Sequence, residues 1–292
     1  MRVTEVQARS ILNKSGISRV DYAVNPYLGC AHACAYCYAC FMKRFSNHPE
    51  PWGTFVDVKV NAPDLLVHQL RGKGPLRVML SSVTDAYQPL ERQYALTRRC
   101  LEVLARYPAV TVSILTKSDL VLRDLRVLGR LPDVRVGMTV TAADDEVSHL
   151  LEPGAPPASL RWQALRQLGD AGHQTWVMLG PLLPFFSDQD EPITALLRSA
   201  RAAGVSEILV DDVNFYPSVT QRLRAVYRSH SREAFQYLQK AIVNQSAYAD
   251  ELRERVRYWS SALGIPIAGS FAGSPSESTS PPPVQFLQAE AP

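Results

Sequence analysis

The sequence predicts an α/β chain folded as a partial (β/α)6 TIM-type barrel with a C-terminal helical extension, and three patterns carry that expectation. Six short apolar runs, at 21–28, 76–83, 110–115, 134–140, 174–179 and 207–213, alternate with stretches of helical periodicity, the arrangement of βα units around a parallel sheet. Polar residues gather where nearly every run ends: Thr84 and Asp85, Thr116 to Ser118, Thr139 and Thr141, then Asp211, Asp212 and Asn214. In parallel barrels those ends form the functional rim. After Pro217 the strand pattern stops and only helical periodicity remains.

Taken in order, residues 1–20 form a polar arm expected to pack over the barrel. The first strand, 21–28, stops at Gly29, so a cysteine-bearing loop lies beyond its carboxyl end; a helix is expected over 35–45. A short helix follows Pro63 and carries Leu65, Leu66 and Leu70. Helices are then expected at 92–107, at 119–130 with Leu122, Leu125 and Leu128, at 143–151, 158–171 and 191–203. The barrel is read as 21–216 and the extension as 217–267, with helices at 219–229, 233–243 and 248–263. The last of these places Leu252, Val256, Trp259 and Leu263 on one face. Residues 268–292 are rich in Ser and Pro, a composition read as a disordered tail.

The chain has 292 residues, 46% of them hydrophobic, enough for one barrel-sized core. Net charge is only +3, from 31 basic against 28 acidic residues, so bulk electrostatics neither requires nor excludes a polyanionic partner, and a dedicated duplex-binding domain would usually show a basic stripe. Arg222, Arg224, Arg228 and Arg232, and the pair Arg98 and Arg99, read as solvated helix faces, with phosphate contact as the functional alternative. The longest apolar runs, 177–183 and 208–210, fall far short of the roughly eighteen residues a membrane-spanning helix needs. Residues 1–20 lack targeting character and cysteines are few, so a reducing cytoplasmic setting is expected.

Cys30, Cys34 and Cys37 fall at C-x3-C-x2-C spacing. Soft thiolates select iron–sulfur clusters, zinc or copper(I). A structural zinc site prefers four ligands in two separated pairs; Cys40 and His32 stand near, yet no second half-site follows. Three protein ligands leave one metal position open, which suits chemistry more than scaffolding. Cys100 shares a helix face with Leu96, Val103 and Leu104 and reads as a buried small hydrophobe.

Cys30-x3-Cys34-x-Tyr36-Cys37 resembles the motif of radical S-adenosylmethionine (SAM) enzymes, in which an aromatic residue precedes the third cysteine. The flanking Asn25-Pro-Tyr-Leu-Gly-Cys30 and Cys37-Tyr-Ala resemble the branch that contains spore photoproduct lyase. Further agreement comes from Thr84-Asp85-Ala-Tyr87-Gln88-Pro89-Leu-Glu91, Leu115-Thr116-Lys117-Ser118 with Arg123-Asp124, Glu152-Pro153, Arg161 and Gly180-Pro181-Leu-Leu-Pro184. The resemblance runs over 21–190, more than half of the chain.

That resemblance implies a [4Fe–4S] cluster on Cys30, Cys34 and Cys37, SAM chelated to the fourth iron, and one-electron cleavage to a 5′-deoxyadenosyl radical that abstracts hydrogen from substrate. It implies that Lys117 pairs with the SAM carboxylate and that Tyr36 stacks near adenine, with Ser82, Thr84 and Thr139 as further SAM contacts. Tyr38 is expected to face the active site, and Asp85, Gln88 and Glu91 to contact substrate, Glu91 equally suiting the start of the following helix. Cys40 occupies a position where the branch commonly holds arginine; a buried thiol, a hydrogen donor and a metal ligand are its readings. Where spore photoproduct lyase has a hydrogen-donating cysteine before a threonine, this chain has Val83, so that repair route needs Cys40 or Tyr38 as substitute.

A lyase or oxidoreductase acting on a small molecule such as a nucleoside or sugar-containing metabolite is therefore expected. Repair or modification of a nucleic-acid base is the alternative, and a non-enzymatic iron–sulfur protein is a third. An external electron donor of flavodoxin or ferredoxin type is implied, with no membrane partner.

Overall fold

A computed structural model describes residues 1–271. Ten strands occur in these residues: β1 (Arg2–Val6), β2 (Leu12–Lys14), β3 (Tyr22–Val24), β4 (Tyr27–Leu28), β5 (Phe55–Lys59), β6 (Leu76–Leu80), β7 (Val110–Thr116), β8 (Asp133–Val140), β9 (Gln174–Leu182) and β10 (Glu207–Asp212). The helices are α1 (Ala62–Leu70), α2 (Glu91–Tyr94), α3 (Leu96–Leu104), α4 (Leu125–Leu128), α5 (Asp145–Leu151), α6 (Ala158–Asp170), α7 (Asp190–Ala202), α8 (Pro217–His230), α9 (Arg232–Val243) and α10 (Gln245–Leu263).

Strands at the six expected places form one continuous parallel array, β3-β6-β7-β8-β9-β10, with β2 added antiparallel to β3 at its edge; the first, expected over 21–28, divides into β3 in this array and β4 in a second sheet. This is the partial barrel that the alternation predicts. Its strands read as near-continuous apolar runs because helices cover their outer face while the inner face lines the barrel. Val112, Ile114, Val136, Met138 and Val177 are fully buried.

The polar arm contributes more than a cover. Within it, β1 pairs parallel with β5, and β5 pairs antiparallel with β4, giving a small second sheet beside the thiol loop. Neither β1, β2 nor β5 was legible in the pattern, because strands of three to five residues carry too few alternations to stand out. The helix expected over 35–45 is instead a 3-10 run, Tyr38–Phe45, that starts only after the third cysteine. The helix expected over 92–107 breaks at Ala95, whose φ of 48° is left-handed. Past that break the buried Glu91 carboxylate accepts the amides of Thr97 (3.0 Å) and Arg98 (3.2 Å), capping α3. Glu91 also takes the Tyr27 hydroxyl and Arg123; it is a brace, not a substrate contact. The segment 119–130 splits likewise into a 3-10 turn and α4.

Residues 268–271, placed at the head of the tail by composition, fold against the barrel: Ala268 bridges Leu209 and Phe271 is fully buried. The rest of that expected tail, 272–292, lies outside the described residues.

Two buried carboxylates tie the architecture together. Glu152, after α5, pairs with Arg161 of α6, both side chains having no exposure. Arg161 also donates to the carbonyls of Thr139 (3.0 Å) and Pro156, while Glu152 accepts from Tyr36 and Thr141. The pair therefore joins β8, α6 and the thiol loop. Asp188, before α7, is buried where α9 meets the barrel, and Gln189 bridges it to Tyr237. Desolvation pushes its carboxyl up to about 6.

Removing one partner of the buried pair leaves a charge uncompensated, so Glu152→Ala is expected to cost about 3–5 kcal/mol in chemical denaturation, while Glu152→Leu with Arg161→Leu recovers much of that loss. Burial favours the protonated form of Asp188: its contribution is present below the unfolded value of 3.8 and is lost as pH rises through about 6. Asp188→Asn is expected to flatten the fall in melting temperature between pH 4 and 7.

Candidate active site

The chain leaves β4 through Gly29, whose φ is +90°. A Cβ there would sit 2.3 Å from the Phe55 carbonyl oxygen, so only glycine lets the loop pass against β5. The loop from 29 to 37 then carries its three thiols with few regular backbone partners, and other elements satisfy its polar groups. The Gln88 side chain accepts the Ala31 amide (3.0 Å) and, like the Thr84 hydroxyl (2.8 Å), donates to the Gly29 carbonyl. At the end of α5 the Leu151 carbonyl accepts the Ala35 amide (2.8 Å), and in the α5–α6 connection the Gly154 amide donates to the His32 carbonyl (3.0 Å). Arg222 of α8 donates to the carbonyls of Ala35 (3.0 Å) and Cys37.

Cys30 and Cys34 are buried, Cys37 is half-buried, and all three are free thiols on the wall of one cavity of about 990 Å3. That volume is at the upper end of small-molecule sites, about 300–1,000 Å3. Burial pushes the Cys30 thiol up to about 12 and those of Cys34 and Cys37 upward, while the charge of Lys117 pulls the latter two back down. Among the described residues, no three His, Cys, Asp or Glu side chains converge on a point that a single metal ion would occupy. Around the thiols, His32 Nε2 and the Ser81 hydroxyl are buried with no hydrogen-bond partner in the protein, and the Trp52 indole N–H favours the Cys37 thiolate. A sulfur-rich donor set ringed by unused donors fits a cluster bearing several sulfide and thiolate acceptors.

Tyr36, Tyr38, Ser82, Thr84, Asp85, Lys117 and Thr139, all expected in the site, line this same cavity. Lys117 lies 4.0 Å from Glu152 and 5.6 Å from the Tyr36 ring centre. Tyr36 presents its ring to Lys117 and sends its hydroxyl outward to Thr141 and Glu152. Tyr38 donates to the Ser82 carbonyl (2.7 Å), and Asn25 donates to the Ser82 hydroxyl (3.3 Å).

Two expectations need correction. Asp85 is not free to meet substrate. It accepts from the Thr116 hydroxyl (2.6 Å) and from the amides of Tyr87 (2.8 Å) and Lys117 (2.8 Å), with His32 Nδ1 3.4 Å away. It braces the ends of β6 and β7, and against desolvation the His32 ring, with the Thr116 and Lys117 bonds, holds its carboxyl well below the usual range. Cys40 is half-buried and away from the cavity wall, 3.1 Å from the Ser218 hydroxyl of α8.

The cavity also contains groups that the sequence did not single out. Trp176 lies across Gly137, where a Cβ would come within 2.2 Å of the indole; with Arg135 over its ring (5.3 Å) and Glu207 paired to that arginine, it walls off the barrel interior. Asp211 of β10 lines the same cavity as the thiols, its carboxyl lifted to about 6 by desolvation and by neighbouring Asp212. Its place at a strand end was visible, but nothing in the sequence distinguished it from Asp212. Arg222, read as part of a solvated face, instead reaches the thiol loop.

At Gly154 a Cβ would sit 2.1 Å from the Ala31 carbonyl oxygen. Gly154→Ala is therefore expected to displace the thiol loop and lower the iron bound per chain after anaerobic reconstitution, with α-helical circular dichroism retained.

Residues 24–197 match the family model of the Radical SAM superfamily. An uncharacterized protein of Methanocaldococcus jannaschii is 35% identical over 189 residues, 64% of this chain and 70% of its own length. One from Mycobacterium tuberculosis is 31% identical over 277 residues, 86% of this chain and 78% of its own. Among solved structures, spore photoproduct lyase complexed with dinucleoside spore photoproduct superposes with a TM-score of 0.61 at 17% identity, covering 79% of this chain and 67% of that one, a likeness of fold. With the family match spanning more than half of its residues, the chain belongs to the radical SAM superfamily, enzymes that use a [4Fe–4S] cluster and S-adenosylmethionine.

Proposed function

We propose that Cys30, Cys34 and Cys37 hold the [4Fe–4S] cluster and that the enzyme removes hydrogen from a small-molecule substrate, a nucleoside or sugar-containing metabolite, seated in the barrel cavity. The observation that supports this most directly is the convergence of the three thiols and Lys117 on one cavity enclosed by β6 to β10. Bound together, cluster and SAM supply a 5′-deoxyadenosyl radical.

The protein's own part is binding, orientation and exclusion of water. Lys117 is the cation for the SAM carboxylate, a point-charge task suited to an ammonium group; Glu152 holds it poised from 4.0 Å. The Tyr36 ring forms a wall for the adenosyl group, fixed by its own hydroxyl bonds. Ser82, Thr84 and Thr139 supply short polar contacts on the same wall. Asp211, on the facing strand, is the carboxylate available to a substrate hydroxyl or amine. Of the two groups considered as hydrogen donor to the product, Tyr38 lines the cavity and Cys40 does not, so Tyr38 takes that role. An electron donor of flavodoxin or ferredoxin type reduces the enzyme from outside.

A base within a nucleic acid is the second reading, and one surface favours it. Residues 22–49 contain no Asp or Glu; beside the cavity they expose Tyr38, Phe41 and Phe45, with the Arg44 guanidinium over the last two rings (5.3 and 4.6 Å). Exposed aromatics with cations suit single-stranded bases.

Anaerobically reconstituted, reduced protein is expected to release 5′-deoxyadenosine from SAM, with release stimulated by a member of a nucleoside and nucleotide panel. Stimulation by ultraviolet-irradiated or single-stranded DNA alone would replace the first reading by the second, and protein carrying about four irons that yields no 5′-deoxyadenosine would count against both. Lys117→Met is expected to weaken SAM binding by roughly 10- to 100-fold in equilibrium dialysis, the loss of one charge-assisted contact of about 1.5–3 kcal/mol.

A further inference from the structure

We infer that Arg222 is a positioning residue for the cluster-binding loop: from α8, its guanidinium clamps two carbonyls of that loop and places a fixed positive charge beside the third thiol. Arg222 lies beyond the stretch 24–197 that matches the family model, so the clamp joins the C-terminal helices to the catalytic loop.

The geometry is specific to a guanidinium. Nε donates to the Ala35 carbonyl (3.0 Å) and Nη2 to the Cys37 carbonyl. These alternate carbonyls flank Tyr36, and Cys37 itself is extended, with φ −59° and ψ 114°. A planar fork with several donors can take both at once, whereas an ammonium group on a flexible stem meets them as a point charge. No carboxylate is among the partners of Arg222 in the described residues; α8 contains no acidic residue at all.

The helix that presents it is firmly placed. Val219, Leu223 and Tyr227 recur on one face and are fully buried. The Tyr227 hydroxyl reaches the Pro184 carbonyl (2.7 Å) in the loop after β9, and Ser218 contacts Cys40 (3.1 Å) one turn beyond Cys37. At the loop end that bears Cys37, the Cys37 amide meets the Cys34 carbonyl (3.2 Å) and the Ala35 amide meets the Leu151 carbonyl (2.8 Å), and the Arg222 fork takes the carbonyls of Ala35 and Cys37. The charge has a second consequence. Reduction adds negative charge to the cluster, and a nearby cation favours that state, net charge being one of the factors that set cluster potentials.

The electrostatic half of this inference rests on the three-cysteine assignment; the mechanical half does not. The test therefore has two arms, applied to Arg222→Gln, Arg222→Lys and a control, Arg224→Gln, on the same helix. In the first, hydrogen exchange is followed by mass spectrometry in the metal-free full-length chain. Peptides covering 34–40 are expected to exchange at least tenfold faster in Arg222→Gln, with α6 and α10 unchanged, while Arg224→Gln matches the unsubstituted protein. In the second, the cluster midpoint potential is read by spin-resonance-monitored titration. It is expected to move to more negative values in Arg222→Gln and to stay near that of the unsubstituted protein in Arg222→Lys, which keeps the charge. Unsubstituted exchange and potential in Arg222→Gln would overturn the inference, as would faster exchange spread over the whole barrel. Should no cluster assemble even in the unsubstituted protein, the three-cysteine assignment fails, and the exchange arm alone still decides the clamp.

Discussion

A loop that holds a multi-atom cofactor cannot also hold itself. Between Gly29 and Cys37 the chain spends its side chains on three thiols and on the cavity wall, and its backbone forms neither strand nor helix. Buried amides and carbonyls without partners are costly, so the surrounding structure must supply hydrogen bonds from outside the loop. It does so from separate directions: Thr84 and Gln88 beyond β6, Leu151 and Gly154 around the end of α5, and Arg222 on α8. The barrel and its helical extension are, in this sense, the scaffold of one nine-residue span.

The same economy governs the charges. Asp85 and Glu152 are buried carboxylates, and each would be costly alone. Asp85 is stabilised by a hydroxyl and two amides, Glu152 by the Arg161 guanidinium, three hydroxyls and more distant Lys117. Because Arg161 already neutralises Glu152, the Lys117 ammonium keeps charge to spare and remains directed at the cavity. A cation held near but not against its internal partner is what an anionic ligand group can recruit without breaking a strong bond.

Much of this was legible from residues alone. The alternation of apolar runs with helical periods gave the six parallel strands in order, since a strand buried by helices has no polar face to hide. The C-x3-C-x2-C spacing, the aromatic before the third cysteine, and polar residues at successive strand ends pointed to residues that the fold brings onto the wall of one cavity. Elements whose signals are weak by nature stayed invisible: the short strands β1, β2 and β5, the left-handed break at Ala95, and the 3-10 character after Cys37. Local propensity does not report them because tertiary hydrogen bonds, such as those from Glu91 to the start of α3, decide them.

What the sequence by itself determined is therefore the fold class and the grouping of three thiols with polar strand ends on one rim of the barrel, because each depends on residue type and on separations within one βα unit. What only the tertiary structure decided is the division of labour among polar residues that look alike in a string. Asp85 and Glu91 are spent on bracing, Asp211 is left open to the cavity, Cys40 is turned toward Ser218, and Arg222 is drawn from a helix face to the loop 185 residues before it. Hydrogen bonding and burial assign those roles, and both are set by distances between elements that no separation along the chain encodes.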